Sequence, residues 1–154
     1  MNSKGALLTK SVEIEIPFHD CDPMQVVWHG NYPRYLEVAR CELLRMFDYD
    51  YPQMVESGYM WPIVDMRVKY VASALFGQKI KVTAYLKEYE QRLRLDYVIS
   101  DAATDKVITK ASTVQVAVKI SDQEMQFVSP PILIEKLDKL LGEPAAKVLD
   151  KVLT

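Results

Sequence analysis

Residues 31–47 read NYPRYLEVARCELLRMF, and the width of the apolar face in this stretch decides the architecture. Asn31 stands where a helix N-cap is expected, Pro33 falls in the first turn, and the body is rich in helix formers. At 100° per residue, Tyr32, Leu36, Ala39, Leu43 and Phe47 form one stripe, widened by Tyr35 and Met46. More than half of the helix circumference is therefore apolar. A helix lying on the outside of a sheet needs a stripe of only about 100°. A sheet that curls around the helix explains the pattern better.

Upstream, SVEIEIPF (11–18) places Val12, Ile14, Ile16 and Phe18 on one face and Glu13 and Glu15 on the other, the period of a half-buried strand. Between strand and helix, HDCDPMQVVWHG (19–30) breaks the pattern with Asp, Pro and Gly. Its Met24, Val26, Val27 and Trp28 predict a loop packed against something. Downstream, 48–59 reads as a connector with a short helix. WPIVDMRVKYV, KIKVTAYLKEYE, RLRLDYVISDA and VITKASTVQVAVKI then read as four strands, with turn signals at 76–78 and 102–105. The short connections predict an antiparallel, meandering sheet. One strand, one helix and four strands make an α+β arrangement. The segment 129–154 begins at Pro130-Pro131 and has Leu133, Leu137, Leu140, Leu141, Val148 and Leu153 at near-helical spacing, interrupted by Gly142 and Pro144. It predicts a helical tail packed on the body or on a second subunit.

The 154 residues, 49% of them hydrophobic, are read as one domain over 1–154, with a core at about 11–120 and the tail at about 129–154. Nineteen Lys and Arg against 21 Asp and Glu give a formal charge of -2. No basic run follows a nucleic-acid backbone, so nucleic acid is not an expected partner. Two cysteines, Cys21 and Cys41, cannot alone make a four-ligand zinc site, and they suit a reducing cytoplasm. No apolar stretch approaches the roughly 18 residues of a membrane span, and Met1 to Lys10 lacks the apolar core of a secretory signal. The expected location is cytoplasmic.

The order strand, DCDPMQVVWHGNY (20–32), apolar helix, with the pattern DxDPxxxVxxxNY, resembles the hotdog-fold acyl-CoA thioesterases, specifically the 4-hydroxybenzoyl-CoA thioesterase group. The order of elements matches over about 11–120. The resemblance implies a hotdog fold, a curved antiparallel sheet wrapped around a central helix, assembled as homodimers or homotetramers with active sites between subunits. It also implies that the second Asp of the motif, Asp22, is the catalytic carboxylate, and that the polarising backbone amide at the start of the helix belongs to His29. The positive cluster that some members use for the CoA phosphates is only partly matched, by Glu90-Gln91-Arg92. The expected substrate is an acyl-CoA or acyl-carrier-protein thioester.

The chemistry also follows from the residues themselves. Thioester hydrolysis needs a nucleophile or an activated water, and donors aimed at the oxygen that becomes negative. An aspartate is ionised at neutral pH. The free N–H groups at the helix start, from His29 through Gly30 and Asn31 to Tyr32, carry partial positive charge and can bind the thioester carbonyl. Attack by Asp22 through an acyl-aspartyl anhydride and general-base activation of water both satisfy this pattern. Neither route requires a metal or cofactor. Met24, Val26, Val27, Trp28, Tyr59, Met60 and Trp61 supply an apolar slot, and Arg92 and Arg94, two apart on a strand face, supply a phosphate contact.

The same residues have plainer roles. Asp22 before Pro23 can simply start a turn, Asn31 can cap the helix, and Tyr32 lies on the core stripe. Glu37 is the rival carboxylate, although Arg34 and Arg40 stand at pairing distance along the helix. A Cys21 triad, and a metal site from His19, Asp22 and His29, are weaker arrangements, because neither has the spacing of its class. The reading is a thioester hydrolase. Its rivals are a hotdog module that binds acyl chains or assembles without catalysis, and a dehydratase, which would want a base with a pKa nearer neutrality.

Overall fold

The computed structural model describes residues 4–142. β1 (Leu8–Glu15) is followed by two single-turn 3-10 segments, Phe18–Asp20 and His29–Asn31, the second running directly into α1 (Tyr32–Arg45). After α2 (Tyr51–Glu56) and the short β2 (Tyr59–Met60) come β3 (Ile63–Tyr70), β4 (Lys79–Glu88), β5 (Leu93–Asp101), β6 (Val107–Gln115), the short β7 (Val118–Lys119) and α3 (Pro131–Leu141). The long helix and the first four expected strands form where the periodicities place them, but the last, expected over 107–120, breaks after Gln115 into β6 and β7, and β7 leaves the main sheet to pair with the unexpected β2. Asp50 closes α2 with a capping box to Gln53.

The main sheet is antiparallel in the order β1-β4-β5-β6-β3, and β2 pairs with β7 in a small second sheet. Strands β4, β5 and β6 meander as expected, but β3 does not neighbour β4. It pairs with β6 at the far edge, with Val68 opposite Ala111. Residues 71–78 therefore carry the chain back across three strand spacings, roughly 14 Å. Eight extended residues can span about 26 Å, so a short connection did not require a hairpin.

That crossover passes in front of the start of α1 and is tied there. Val27 N–H donates to Ala74 O at 2.9 Å, and Ala74 N–H donates to the Tyr32 hydroxyl at 3.2 Å. The sheet thereby closes around the helix. Tyr32, Tyr35, Leu36, Ala39, Leu43 and Phe47 are all buried, and Leu93, Leu95, Tyr97 and Ile99 of β5 are buried on the facing side of the sheet. The wide apolar girth of α1 is thus the core itself, each large side chain contributing roughly 1.5–3 kcal/mol by leaving water.

α3 buries Leu133, Leu137 and Leu140, and the Tyr89 hydroxyl donates to Asp138 at 2.6 Å. The expected tail is helical in this part. Its remainder, with Val148 and Leu153, lies outside the described residues. Among the described residues no helix is long and apolar enough to cross a membrane.

Candidate active site

The loop between β1 and α1 is built from its own turn chemistry. Gln25 N–H donates to Asp22 O at 2.9 Å, closing a turn with Pro23 at its second position. Asp22 Oδ1 accepts from Met24 N–H at 2.8 Å, the side-chain turn that Asp before Pro favours. Gln25 leaves the turn at φ 65°, and Asp22 N–H donates to Val26 O at 2.9 Å. The plain turn-forming role of Asp22 is therefore present. It occupies Oδ1, and no group among the described residues hydrogen-bonds Oδ2.

Asp20, the first acid of the motif, anchors the loop. Its carboxylate is buried and accepts from the Tyr35 hydroxyl at 2.7 Å, with the Arg34 guanidinium on Oδ1. Its backbone oxygen accepts from Trp28 N–H at 3.0 Å and from the Asn31 side-chain amide at 2.8 Å. Burial works against ionisation of Asp20, but Tyr35 and Arg34 outweigh it and hold the carboxyl below its ordinary value. Burial and the Asp20 contact together push the Tyr35 phenol far up. Asn31 thus occupies the cap position without capping. Its backbone is already helical because the 3-10 turn runs into α1, so its side chain is free to fasten the loop instead.

Asp22, Val26, Val27, His29, Tyr32 and Tyr70 wall a cleft of about 330 Å³, closed by residues 71–73. The N–H groups of His29 and Gly30 open the 3-10 turn at the helix start, where backbone donors have no intrahelical acceptor. The His29 carbonyl accepts from the Tyr70 hydroxyl at 2.8 Å, and the His29 ring stands exposed between Trp28 and Tyr70. Tyr32 serves as core and as cleft floor together; burial raises its phenol, and its oxygen is taken up by Ala74.

Tyr70 and residues 71–73 line the candidate cleft, and the sequence did not reveal them. A Tyr at a strand end carries no signal until the crossover brings it to the helix start.

Other expectations are revised. Of the apolar loop residues only Val27 is fully buried, while Met24 and Trp28 are exposed, because the loop folds onto the crossover along one side only. Tyr59, Met60 and Trp61 line a separate cavity. Arg92 lies in the turn before β5, paired with Glu88 at 3.1 Å, and so is not on one strand face with Arg94. That turn is at the far end of the ten-residue β4 from the loop, roughly 30 Å away within one chain.

The rival arrangements fare differently. Glu37 pairs with Arg40 at 3.8 Å and does not border the Asp22 cleft. Burial and the charges of Asp20 and Asp22 push the Cys21 thiol up, away from a nucleophilic thiolate. His19 lies against Asp20 at 3.6 Å. Among the described residues no group of His, Cys, Asp and Glu side chains could hold a metal ion.

Gly30 shows how close the packing is at the helix start. A Cβ there would stand 2.3 Å from the Trp28 ring. Gly30→Ala is expected to displace the half-exposed indole, read in the tryptophan fluorescence. Because the ring can move, the loss of stability should be only about 1 kcal/mol.

A curved antiparallel sheet closed around one long helix is the hotdog fold. The comparisons agree. The profile described as "Thioesterase-like superfamily" matches residues 16–141, and the chain belongs to that family. It is 28% identical over 132 residues, 84% of this chain and 78% of the other, to a Synechocystis sp. protein that carries a provisional esterase name. It superposes on a DHNA-CoA thioesterase from Staphylococcus aureus with TM-score 0.76 and 26% identity, covering 93% of each chain. A 4-hydroxybenzoyl CoA thioesterase mutant complexed with 4-hydroxybenzoyl CoA shares the fold, with TM-score 0.73 and 20% identity over 84% of this chain and 98% of that one. Thioester hydrolysis is the activity of the class.

Proposed function

We propose that this protein hydrolyses an acyl-CoA or acyl-carrier-protein thioester with Asp22 as nucleophile or general base and the N–H groups of His29 and Gly30 as oxyanion donors. The observation that carries the reading is the meeting of Asp22 with this helix start in one cleft. In the nucleophilic route, Asp22 Oδ2 attacks the thioester carbon, the carbonyl oxygen becomes negative against the two amides, and the C–S bond breaks to release thiolate. Water then hydrolyses the anhydride and restores the carboxylate. In the general-base route, Asp22 takes a proton from water as its oxygen attacks the same carbon. The amides serve both routes, because each passes through a tetrahedral oxyanion.

The working unit is a pair of chains, either a homodimer or half of a homotetramer. Strand β3 ends the sheet with one ladder edge unpaired, and Ile63, Val64, Met66 and Tyr70 are exposed along it. An unpaired edge of this kind, its apolar side chains interleaved with exposed Asp65, Arg67 and Lys69, leaves a free ladder for a partner strand. The other edge, β1, carries exposed Glu13 and Glu15, which discourage pairing. Antiparallel two-fold pairing centred on β3 sets Tyr70 of one copy beside Ile63 of the other. The β4–β5 turn with Arg92 lies at the Ile63 end, since Leu93 and Ile63 both pair with Gln115. Pairing thus brings the β4–β5 turn of one copy to the same end of the joined sheets as the Asp22 cleft of the other, and Arg92 there is assigned a phosphate contact.

A hydrolysis screen across short, medium, long and aromatic acyl-CoAs tests the function. At least one class is expected to give kcat/KM of about 10⁴ M⁻¹s⁻¹ or more. Absence of turnover for every CoA and carrier-protein thioester would leave the non-catalytic acyl-binding reading in its place.

A further inference from the structure

The carbonyl of His29 belongs to the turn that opens α1, and in an α-helical turn it would accept from the N–H four residues on. That residue is Pro33, which has no N–H to give. A donor comes from the end of β3 instead: the Tyr70 hydroxyl donates to His29 O at 2.8 Å. The Tyr70 ring meets Tyr32 edge-on, with centroids 5.2 Å apart, and the Tyr32 hydroxyl accepts from Ala74 N–H of the crossover. A phenol carries a single O–H, so the bond to His29 uses the one proton Tyr70 has.

The peptide unit held in this way joins His29 to Gly30. It is planar and trans, so its C=O and N–H turn together and point opposite ways. Fastening the carbonyl therefore fastens the direction of the Gly30 N–H. A donor on the carbonyl oxygen also draws electrons from the nitrogen, which makes that N–H a stronger donor. The preceding unit is fastened alike, since Trp28 O accepts from Asn31 N–H at 2.9 Å, and that unit carries the His29 N–H. Amides that receive a developing negative charge act best when they are fixed beforehand, because no free energy then goes into turning them.

We propose that Tyr70 is a positioning residue for thioester hydrolysis: its hydroxyl sets and polarises the His29–Gly30 peptide, whose N–H receives the oxyanion. This rests on the thioesterase reading above and adds to it a group that acts only through the peptide. Loss of the hydroxyl should therefore slow the chemical step and leave substrate binding in place. The bond is exposed to solvent, and water can replace the hydroxyl without holding the peptide's direction. The effect should accordingly be smaller than removal of an oxyanion donor itself.

Tyr70→Phe keeps the ring and its contact with Tyr32 and removes only the hydroxyl. It is expected to lower kcat about 10-fold, with KM within about twofold of native and the thermal transition in place. A fall in kcat of less than about threefold overturns the proposal, as does a rise in KM with kcat kept, which would make Tyr70 a substrate contact. A second readout, which a merely structural role would not move, is the infrared carbonyl stretch of bound ketone analogues. These carry CH2 in place of sulfur and an isotope label at the carbonyl carbon, and are made for short, medium, long and aromatic acyl-CoAs. For at least one of them the native protein should lower the band below its position in water, and Tyr70→Phe should return it part of the way. A band at one frequency in both proteins, or in native protein and water, overturns the proposal. The two readings fail separately. Turnover lost in Asp22→Asn but kept in Tyr70→Phe retains the thioesterase and strikes Tyr70. If no thioester is cleaved, the thioesterase reading falls, and the ketone band still judges Tyr70.

Discussion

Asp22→Asn is expected to lower kcat for thioester hydrolysis by at least about 100-fold, with KM changed little and the unfolding transition in place. The structure says why the fold should survive. The carboxylate's structural duty is to accept from Met24 N–H through Oδ1, and an asparagine oxygen accepts that bond equally well. The backbone bonds of the loop, Asp22 to Val26 and Gln25 to Asp22, do not involve the side chain. What the amide lacks is charge and basicity, so it can neither attack a thioester carbon nor take a proton from water. A fall in kcat with intact binding is the pattern of a group that acts in the transition state. Steady-state kinetics beside a thermal melt measure both halves. Activity of the Asp22→Asn variant within about tenfold of native would move the chemistry away from this carboxylate.

Asp20→Ala should do the reverse, reducing stability first. The substitution leaves the buried Tyr35 hydroxyl without its acceptor and removes the counter-charge of Arg34. Removing one partner of a fully buried pair costs about 3–5 kcal/mol. Arg34 is 56% exposed, so solvent screens its share, and a loss of about 2–3 kcal/mol is the expected result. For a chain of this size that lowers Tm by roughly 5–10 °C. The pH dependence follows from the sign of the shift. The folded carboxyl titrates below its ordinary value of 3.8, so its contribution is complete above that pH. It is lost as pH falls through the lower folded value. The stability gap between native and variant should therefore be widest near neutrality and narrow in strong acid. A gap that stayed constant down to the lowest pH would assign the effect to packing alone.

Much of this molecule was legible in order along the chain. The 3.6-residue period of 31–47 identified α1 and, through its width, the enclosing sheet; the period of two identified the strands. The turn at Asp22-Pro23 was legible for the same reason, since Asp, Pro and the residues after them close a turn with their own backbone. These features depend on groups a few residues apart, and local sequence contains all of them.

The partnership of strands is another matter. Alternation tells which side chains of β3 share a face, but not that β3 joins β6 rather than β4. Closing a longer loop adds little entropic cost, so chain proximity does not decide the neighbour. Only the closed structure shows Tyr70 meeting the His29 carbonyl, Asn31 turning from the helix to Asp20, and Arg92 at the other end of the sheet. Residue order was enough for the elements and the reactive residue types. Which of them meet was left to the folded chain, because the sheet must close around α1 to bury its apolar girth, and the path of that closure places the crossover against the Asp22 loop.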